Sequence, residues 1–416
     1  MIPEGWEVQK ISECLERVVD PIMPEPAKLY RQIGIRSHAK GIFHKEPVTG
    51  ESLGNKRVFN IHPNCFVVNI VFAWEHAIAK TTDDELGMIA SHRFPMFKPK
   101  KNICDVDYIT YFFKSPRGKC LLELASPGGA GRNKTLGQGA FAKLRLSIPP
   151  IMEQRKIAKI LLTWDKAISA TQALIDTSKQ QKKALMQQLL TGGKRLPGFS
   201  GEWKVWCLND IATIIVSPVD KKTVKGEIPI KLCNYTDVYY NTVITCGLHF
   251  MEASAKQTEI DKYSLKIGDV VITKDSETPG DIAVPAFVSE ILNGVVCGYH
   301  LAIIRPKRNL ADGAYLNKLI SMPKIRYYFF TLATGATRFG LSIGGIKKAC
   351  FYLPPLEEQQ KIASVLSAAD KEIENFQQKF GYLKQEKKAL MQQLLTGKRR
   401  VKIDEGDMSQ KEGSCA

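Results

Sequence analysis

Three kinds of short stretch carry residue types at spacings that could do chemistry. Gly340-Leu341-Ser342-Ile343-Gly344 has the glycine-flanked serine of a hydrolase nucleophile elbow. That motif needs a buried strand before the serine and a helix after it. Thr334 to Arg338 is instead turn-like and Lys347-Lys348 follows closely, so esterase chemistry is not expected. Gly128-Gly129-Ala130-Gly131-Arg132-Asn133-Lys134-Thr135 resembles a phosphate loop with the wrong spacing, and reads as a mobile loop. The pairs Pro149-Pro150 and Pro354-Pro355 lack the preceding Asn or Asp of an adenine methyltransferase, since Ile148 and Leu353 stand there.

No H-E-x-x-H or Rossmann glycine signature occurs, and the seven histidines sit singly, with no carboxylate or cysteine at ligand spacing. Ten cysteines are scattered without a C-x-x-C pair, which excludes a zinc framework and predicts reduced thiols, several of them buried. The expectation is therefore a non-enzyme: no catalytic residue, metal, cofactor or small-molecule substrate.

The elements behind these stretches are more informative. Pro149 to Gly192 recurs as Pro354 to Gly397 without a gap, and 25 of 44 positions are identical. Each copy opens with a proline pair suited to a helix's first turn and closes on a glycine suited to a left-handed cap. Steps of four and three select Ile157, Leu161, Trp164, Ile168, Thr171, Ile175, Ser178, Lys182, Leu185 and Leu189. In the second copy they select Ile362, Leu366, Ala369, Ile373, Phe376, Phe380, Leu383, Lys387, Leu390 and Leu394. That is a heptad seam, and a helix of roughly 60 Å at 1.5 Å per residue needs a helical partner along it. The other copy, antiparallel, is the simplest partner. Thr171, Ser178, Lys182 and Lys387 would weaken the pair while fixing its register.

The preceding segments echo each other more faintly. Trp6 and Trp203 open the two halves, and Gly87 to Phe94 aligns with Gly294 to Leu301. Runs such as Phe66 to Phe72 and Asp269 to Thr273 read as strands between turns. The fold expected is α+β: two similar α+β heads separated by two long helices in an antiparallel coiled coil, with pseudo-two-fold symmetry. The segments are 1–145, 146–196, 197–350 and 351–400, with a disordered tail over 401–416.

At 416 residues, 59 Lys and Arg oppose 42 Asp and Glu, a net charge of +17 spread over both halves. Such an excess favours a polyanionic partner. No run approaches a membrane span and no secretory signal is readable, so a cytoplasmic protein without a membrane partner is expected.

The duplicated Pro-Pro-x-x-Glu-Gln-x-Lys-Ile-Ala start and Ala-Leu-Met-Gln-Gln-Leu-Leu-Thr-Gly end, behind two variable heads, resemble the specificity subunit of type I restriction-modification systems. The linker over 190–199 is also similar to that family. The resemblance implies that each head is a target-recognition domain reading one half of a bipartite, asymmetric site on double-stranded DNA. It implies two docked methylation subunits, which carry S-adenosylmethionine and methylate adenine N6, and restriction subunits that translocate and cleave. A two-headed RNA-binding or protein-interaction scaffold is the alternative that the repeat and the charge also permit.

DNA contacts are expected from cationic and polar residues in loops. In the first head these are Arg36, Ser37, His38, Lys40, Lys56, Arg57, Lys98, Lys100 and Lys101. In the second they are Lys221, Lys222, Lys231, Asn234, Tyr235, Lys274, Asp275, Arg338 and Ser342. Arg, Asn and Asp suit base edges, whereas lysines suit phosphates.

Overall fold

The computed structural model describes residues 2–128, 134–220 and 222–403, and the chain packs as two compact units. Unit one is Met1–Gln172 with Gln378–Ala416; unit two is Ala173–Gln377. Each unit is thus one head plus half of each long helix, a grouping that cuts across the sequence segments. Residues 129–133 of the phosphate-loop-like stretch 128–135, Lys221 and the tail from 404 lie outside the described residues.

The long helices are Ile151–Leu189 and Leu356–Leu394, each of 39 residues. Both proline pairs stand just ahead of the first turn, and Gly192 and Gly397 take φ of 74° and 69°, the left-handed conformation a glycine cap supplies. A Cβ on Gly192 would touch the Trp203 ring, and one on Gly397 would run into Pro3 and Trp6. The tryptophan that opens each half is therefore seated on the end of a long helix within its own unit.

All the seam positions are buried or half-buried, while off-seam residues such as Leu162, Leu174 and Tyr382 are exposed. In unit one, Ile157, Ala158 and Leu161 share an apolar cluster with Leu394 and Leu395. In unit two, Leu189 and Leu190 share one with Ile362, Ala363 and Leu366. The start of one helix meets the end of the other in both units, which is antiparallel pairing. The two seam lysines are neutralised within their units, Lys182 by Asp370 and Lys387 by Asp165.

The Glu-Gln of the repeated motif fastens each helix to its head. Gln154 donates to the carbonyls of Ile103 and Pro149, each at 2.9 Å, and accepts from the Asp105 amide at 2.9 Å. Gln359 does the same with Leu310, Pro354 and Asp312. Both amides are fully buried and fully used, as a polar group in a core must be. Glu153 takes a two-pronged contact from Arg400, and Glu358 takes one from Arg195.

Head one holds a four-stranded antiparallel sheet in the order Ile78–Lys80, Phe66–Val68, Met96–Pro99, Leu15–Val18. Its inner face and the helix Val106–Lys114 enclose Phe66, Phe97, Tyr108, Phe113 and Phe141. Head two holds a five-stranded sheet in the order Ala212–Val216, Leu301–Pro306, Val270–Thr273, Pro285–Val288, Val243–Ile244, beside the helix Gly313–Ile320. In each head a strand pair leads into a long helix: Glu7–Lys10 with Arg145–Ile148, and Lys204–Cys207 with Cys350–Leu353.

Two expectations are corrected. The Phe66 to Phe72 run is a strand only to Val68, because the Asn69 side chain accepts from the Val71 amide at 3.1 Å and turns the chain. The cysteines are not all thiols: Cys207 and Cys350, directly opposed on paired strands, form a disulfide. Their separation of 143 residues leaves no spacing motif to read.

Candidate functional site

In head two the chain leaves the central strand Val270–Thr273 into Lys274, Asp275 and Ser276, the last two forming a short pair with Phe339–Gly340. The Lys274 ammonium donates to both Asp275 oxygens at 2.6 Å. His300 Nδ1 lies 3.4 Å from Asp275 Oδ2, and Arg338 Nη2 lies 3.1 Å from His300 Nε2. A guanidinium only donates, so Nε2 is the ring's acceptor and Nδ1 carries the proton toward Asp275. The result is a directed relay from Arg338 through His300 to Asp275, braced by Lys274.

An aromatic group borders the relay. The Tyr235 hydroxyl donates to Ser276 at 3.4 Å, its ring stacks on Tyr239 at 5.5 Å, and Tyr239 donates to Asp281 at 3.0 Å. The Asp281 hydrogen bond raises the Tyr239 phenol above its ordinary value, and burial raises Tyr235, so both stay protonated donors. Asn234 is buried at the start of the helix Tyr235–Tyr239.

Of the expected residues, Lys274, Asp275, Arg338, Tyr235 and Asn234 therefore gather in one region. Ser342 lies beside them in sequence from Phe339–Gly340, but its hydroxyl accepts from the Gly345 amide at 3.0 Å and caps the helix Ile343–Lys347. A two-residue strand and a five-residue helix do flank this serine, contrary to the sequence reading, yet the helix is fastened by the serine itself. Lys231 is on the strand Ile228–Cys233 of the three-stranded sheet, and Lys222 pairs with Asp220.

In head one, Arg36 donates to the Ile42 carbonyl and lies over the Phe43 ring at 4.9 Å, and Ser37 donates to Glu75 at 2.8 Å. His38 has a left-handed φ of 59°, Lys40 and Lys56 are exposed, and the Arg57 carbonyl accepts from the His92 amide. Lys98 sits opposite Glu16 on paired strands, and Lys101 is exposed. Lys100 donates to the Ser12 carbonyl at 2.9 Å, and Lys307 donates in the same way to Asp210 in head two. A contact repeated in both heads is framework.

Sequence reasoning missed His300 and its head-one counterpart. The Ile70 amide bonds the Arg93 carbonyl and the Leu136 amide bonds the Ile70 carbonyl. In head two the Lys274 amide bonds the His300 carbonyl and the Leu341 amide bonds the Lys274 carbonyl. Arg93 and His300 thus hold one position on the same backbone frame, as do Ile70 and Lys274. The alignment of Gly87 to Phe94 with Gly294 to Leu301 contains that signal. Two residues beyond Ile70, Phe72 is exposed, and Lys134 lies over the Trp74 ring at 5.6 Å.

Unit one also carries a groove of about 800 Å³ where its head meets the helix pair. Lys114, Arg117, Lys384, Lys388 and Lys398 line it with Ile168, Met391 and Leu395, and Asp165 is the one acid among its described lining residues. Burial pulls the Lys114 ammonium below its ordinary value, and Asp165 opposes that shift.

Three histidines do meet carboxylates brought from afar in sequence, against the sequence reading: His44 with Glu85, His62 with Asp20 and His300 with Asp275. Among the described residues no group of three or more ligand side chains could hold a metal ion.

The family model for the type I restriction modification DNA specificity domain matches residues 48–178 and 200–380. A putative type I restriction enzyme MjaX specificity subunit from Methanocaldococcus jannaschii is 23% identical, over 96% of this chain and 95% of that protein. The type I restriction enzyme EcoKI specificity subunit from Escherichia coli K12 is 22% identical over 64% and 59%. Among solved structures, the HsdS subunit from Thermoanaerobacter tengcongensis is similar with a TM-score of 0.54 and 17% identity, over 96% and 98% of the two chains. The type I restriction-modification system S subunit from M. genitalium gives 0.55 and 13%, over 95% and 99%. At such identities these structures carry the fold alone.

Proposed function

The chain belongs to the type I restriction modification DNA specificity family, and from that premise we propose how its parts divide the work. It is the recognition subunit of a type I restriction-modification complex, acts on DNA in the cytoplasm, and contributes no catalytic group. Each head reads one half of an asymmetric, bipartite site on duplex DNA. The long helices set the spacer and dock the methylation subunits, and restriction subunits join that assembly.

The observation that carries this reading is a duplicated fastening under two divergent heads. Glu153 with Arg400 and Glu358 with Arg195 are one contact made twice, as are the Gln154 and Gln359 networks. By contrast Ile70 and Arg93 stand where Lys274 and His300 stand. A frame kept constant beneath altered polar surfaces suits a protein that must hold two readers alike while they read different sequences. The charge of +17 supports a polyanion as what is read. Among the described residues no helix is long and apolar enough to cross a membrane.

The groove in unit one supports docking of a partner with an acidic, partly apolar surface. The DNA contacts are carried by the regions of Lys274, Asp275, Tyr235 and Arg338 in head two and of Arg36 and Arg57 in head one, with exposed lysines on phosphates.

The test is binding by the chain assembled with its methylation subunits to duplex DNA, RNA and unrelated duplex across salt. Sequence-specific duplex binding that falls steeply as salt rises is expected. Equal binding to RNA, or none to duplex, favours the interaction-scaffold alternative.

A further inference from the structure

We infer that Arg93 in head one and the Arg338–His300–Asp275 relay in head two are the elements by which the heads select different base pairs, with Arg93 and Arg338 reading guanine edges. The inference rests on the bipartite reading above and assigns its residues.

Two backbone contacts hold the frame in each head: 2.9 Å from Ile70 N to Arg93 O and 2.8 Å from Leu136 N to Ile70 O, against 2.9 Å for both Lys274 N to His300 O and Leu341 N to Lys274 O. On this shared frame the side chains differ in kind. Head one presents an exposed Arg93 whose carbonyl accepts from the Ile70 amide, so that Ile70 and Val71 stand in sequence where Lys274 and Asp275 do. Head two presents His300 next to Lys274 and Asp275, with an exposed Arg338 brought in by the strand pair of Asp275–Ser276 with Phe339–Gly340.

The head-two arrangement is not a set of separately solvated charges. Arg338 Nη2 spends one donor on His300, which fixes the fork's direction and leaves its other N–H groups for a ligand. His300 is held in turn by Asp275, and Asp275 by Lys274 at 2.6 Å. A guanidinium with a fixed direction suits the paired O6 and N7 acceptors that guanine presents in the major groove. His300 is then a positioning residue, acting through Arg338. Among the described residues Arg93 has the fork without such a relay, and its carbonyl accepts from the amide of Ile70, two residues before the exposed Phe72.

The experiment uses the full chain with its methylation subunits and a duplex library in which both half-sites are randomised, with bound sequences counted. For Arg93→Lys, which keeps the charge and loses the fork, preference for guanine should fall about tenfold or more at one position of one half-site, the other half being unchanged. For Arg338→Lys and His300→Ala the loss should appear at a shared position of the other half-site only. Asp275→Asn, which keeps an acceptor for His300, should retain that preference better than His300→Ala does. Far-ultraviolet circular dichroism of each variant, and its assembly with the methylation subunits, should match the wild type, showing that the variants fold. Unchanged base ratios at every position, or equal changes in both halves, overturn the assignment. A wild-type complex with no sequence preference would instead remove the bipartite reading beneath it.

Discussion

The guanidinium of Arg400 forks onto the carboxylate of Glu153, from Nε at 2.7 Å and Nη2 at 2.8 Å, across 247 residues of sequence. The carboxylate side chain is 2% exposed, so the guanidinium stands in for the water the carboxylate loses on burial. Arg400→Ala should destabilise unit one by roughly 2–3 kcal/mol, the lower side of what orphaning a buried charge costs, because the arginine is itself half-exposed. Replacing both partners, Arg400→Met with Glu153→Leu, should cost less than the single change. Urea unfolding of the full chain checks the order of the two.

Asp370 in unit two accepts from both Lys182 and Lys318. Burial pushes its carboxyl up, yet the two lysine contacts together hold it below the ordinary carboxylate range. A depressed folded pKa stabilises fully above the unfolded value near pH 4 and is lost as pH falls through the folded value. Asp370→Asn should therefore reduce stability at pH 7 and flatten its decline below about pH 4. Thermal melts followed by circular dichroism from pH 2 to 7 would refute this if the acid limbs of the two proteins coincide.

Exchanging residues 1–145 for the matching segment of a relative should change one half of the recognised site and leave the other intact. Methylome sequencing of a host expressing the complete system reads both halves at once. A change in both would contradict independent heads.

The spacer should follow the helices. Inserting one heptad into the Ile151–Leu189 helix adds about 10 Å. The expected outcome is an altered spacing between otherwise unchanged half-sequences, or loss of activity. Methylation of a duplex series with graded spacers measures it, and indifference to spacer length would count against helices that act as a ruler.

Charge reversal in the groove, Lys384→Glu with Lys388→Glu, should weaken assembly with a methylation subunit about tenfold or more. Sedimentation of the mixed proteins at low and high salt measures this. Unaltered assembly at both salts would detach the groove from docking.

The helices were legible because their signals are long and redundant: a heptad repeated, prolines before it, a glycine after it. Even the roles of Glu153 and Gln154 follow once Arg400 and the Asp105 amide are known as their partners. The heads were less legible because their strands are short and their contacts distant. Val68 ends a strand that sequence extends to Phe72, since one asparagine side chain competes for the backbone. Lys100 reads as a loop cation but spends its ammonium on the Ser12 carbonyl, a partner no spacing betrays. His300 looks isolated until the turn at Lys274 and the pair at Phe339–Gly340 bring Asp275 and Arg338 to its two nitrogens.

Because unit one is built from Met1–Gln172 and Gln378–Ala416, a growing chain on the ribosome emits its first head long before the pieces that finish it. The apolar stripe from Ile157 to Leu161 must wait for Leu394 and Leu395, whereas unit two, Ala173–Gln377, is continuous and can close first. The half synthesised earlier is thus completed later, and nascent molecules have a period in which a chaperone, or a neighbouring chain's second helix, can occupy that stripe.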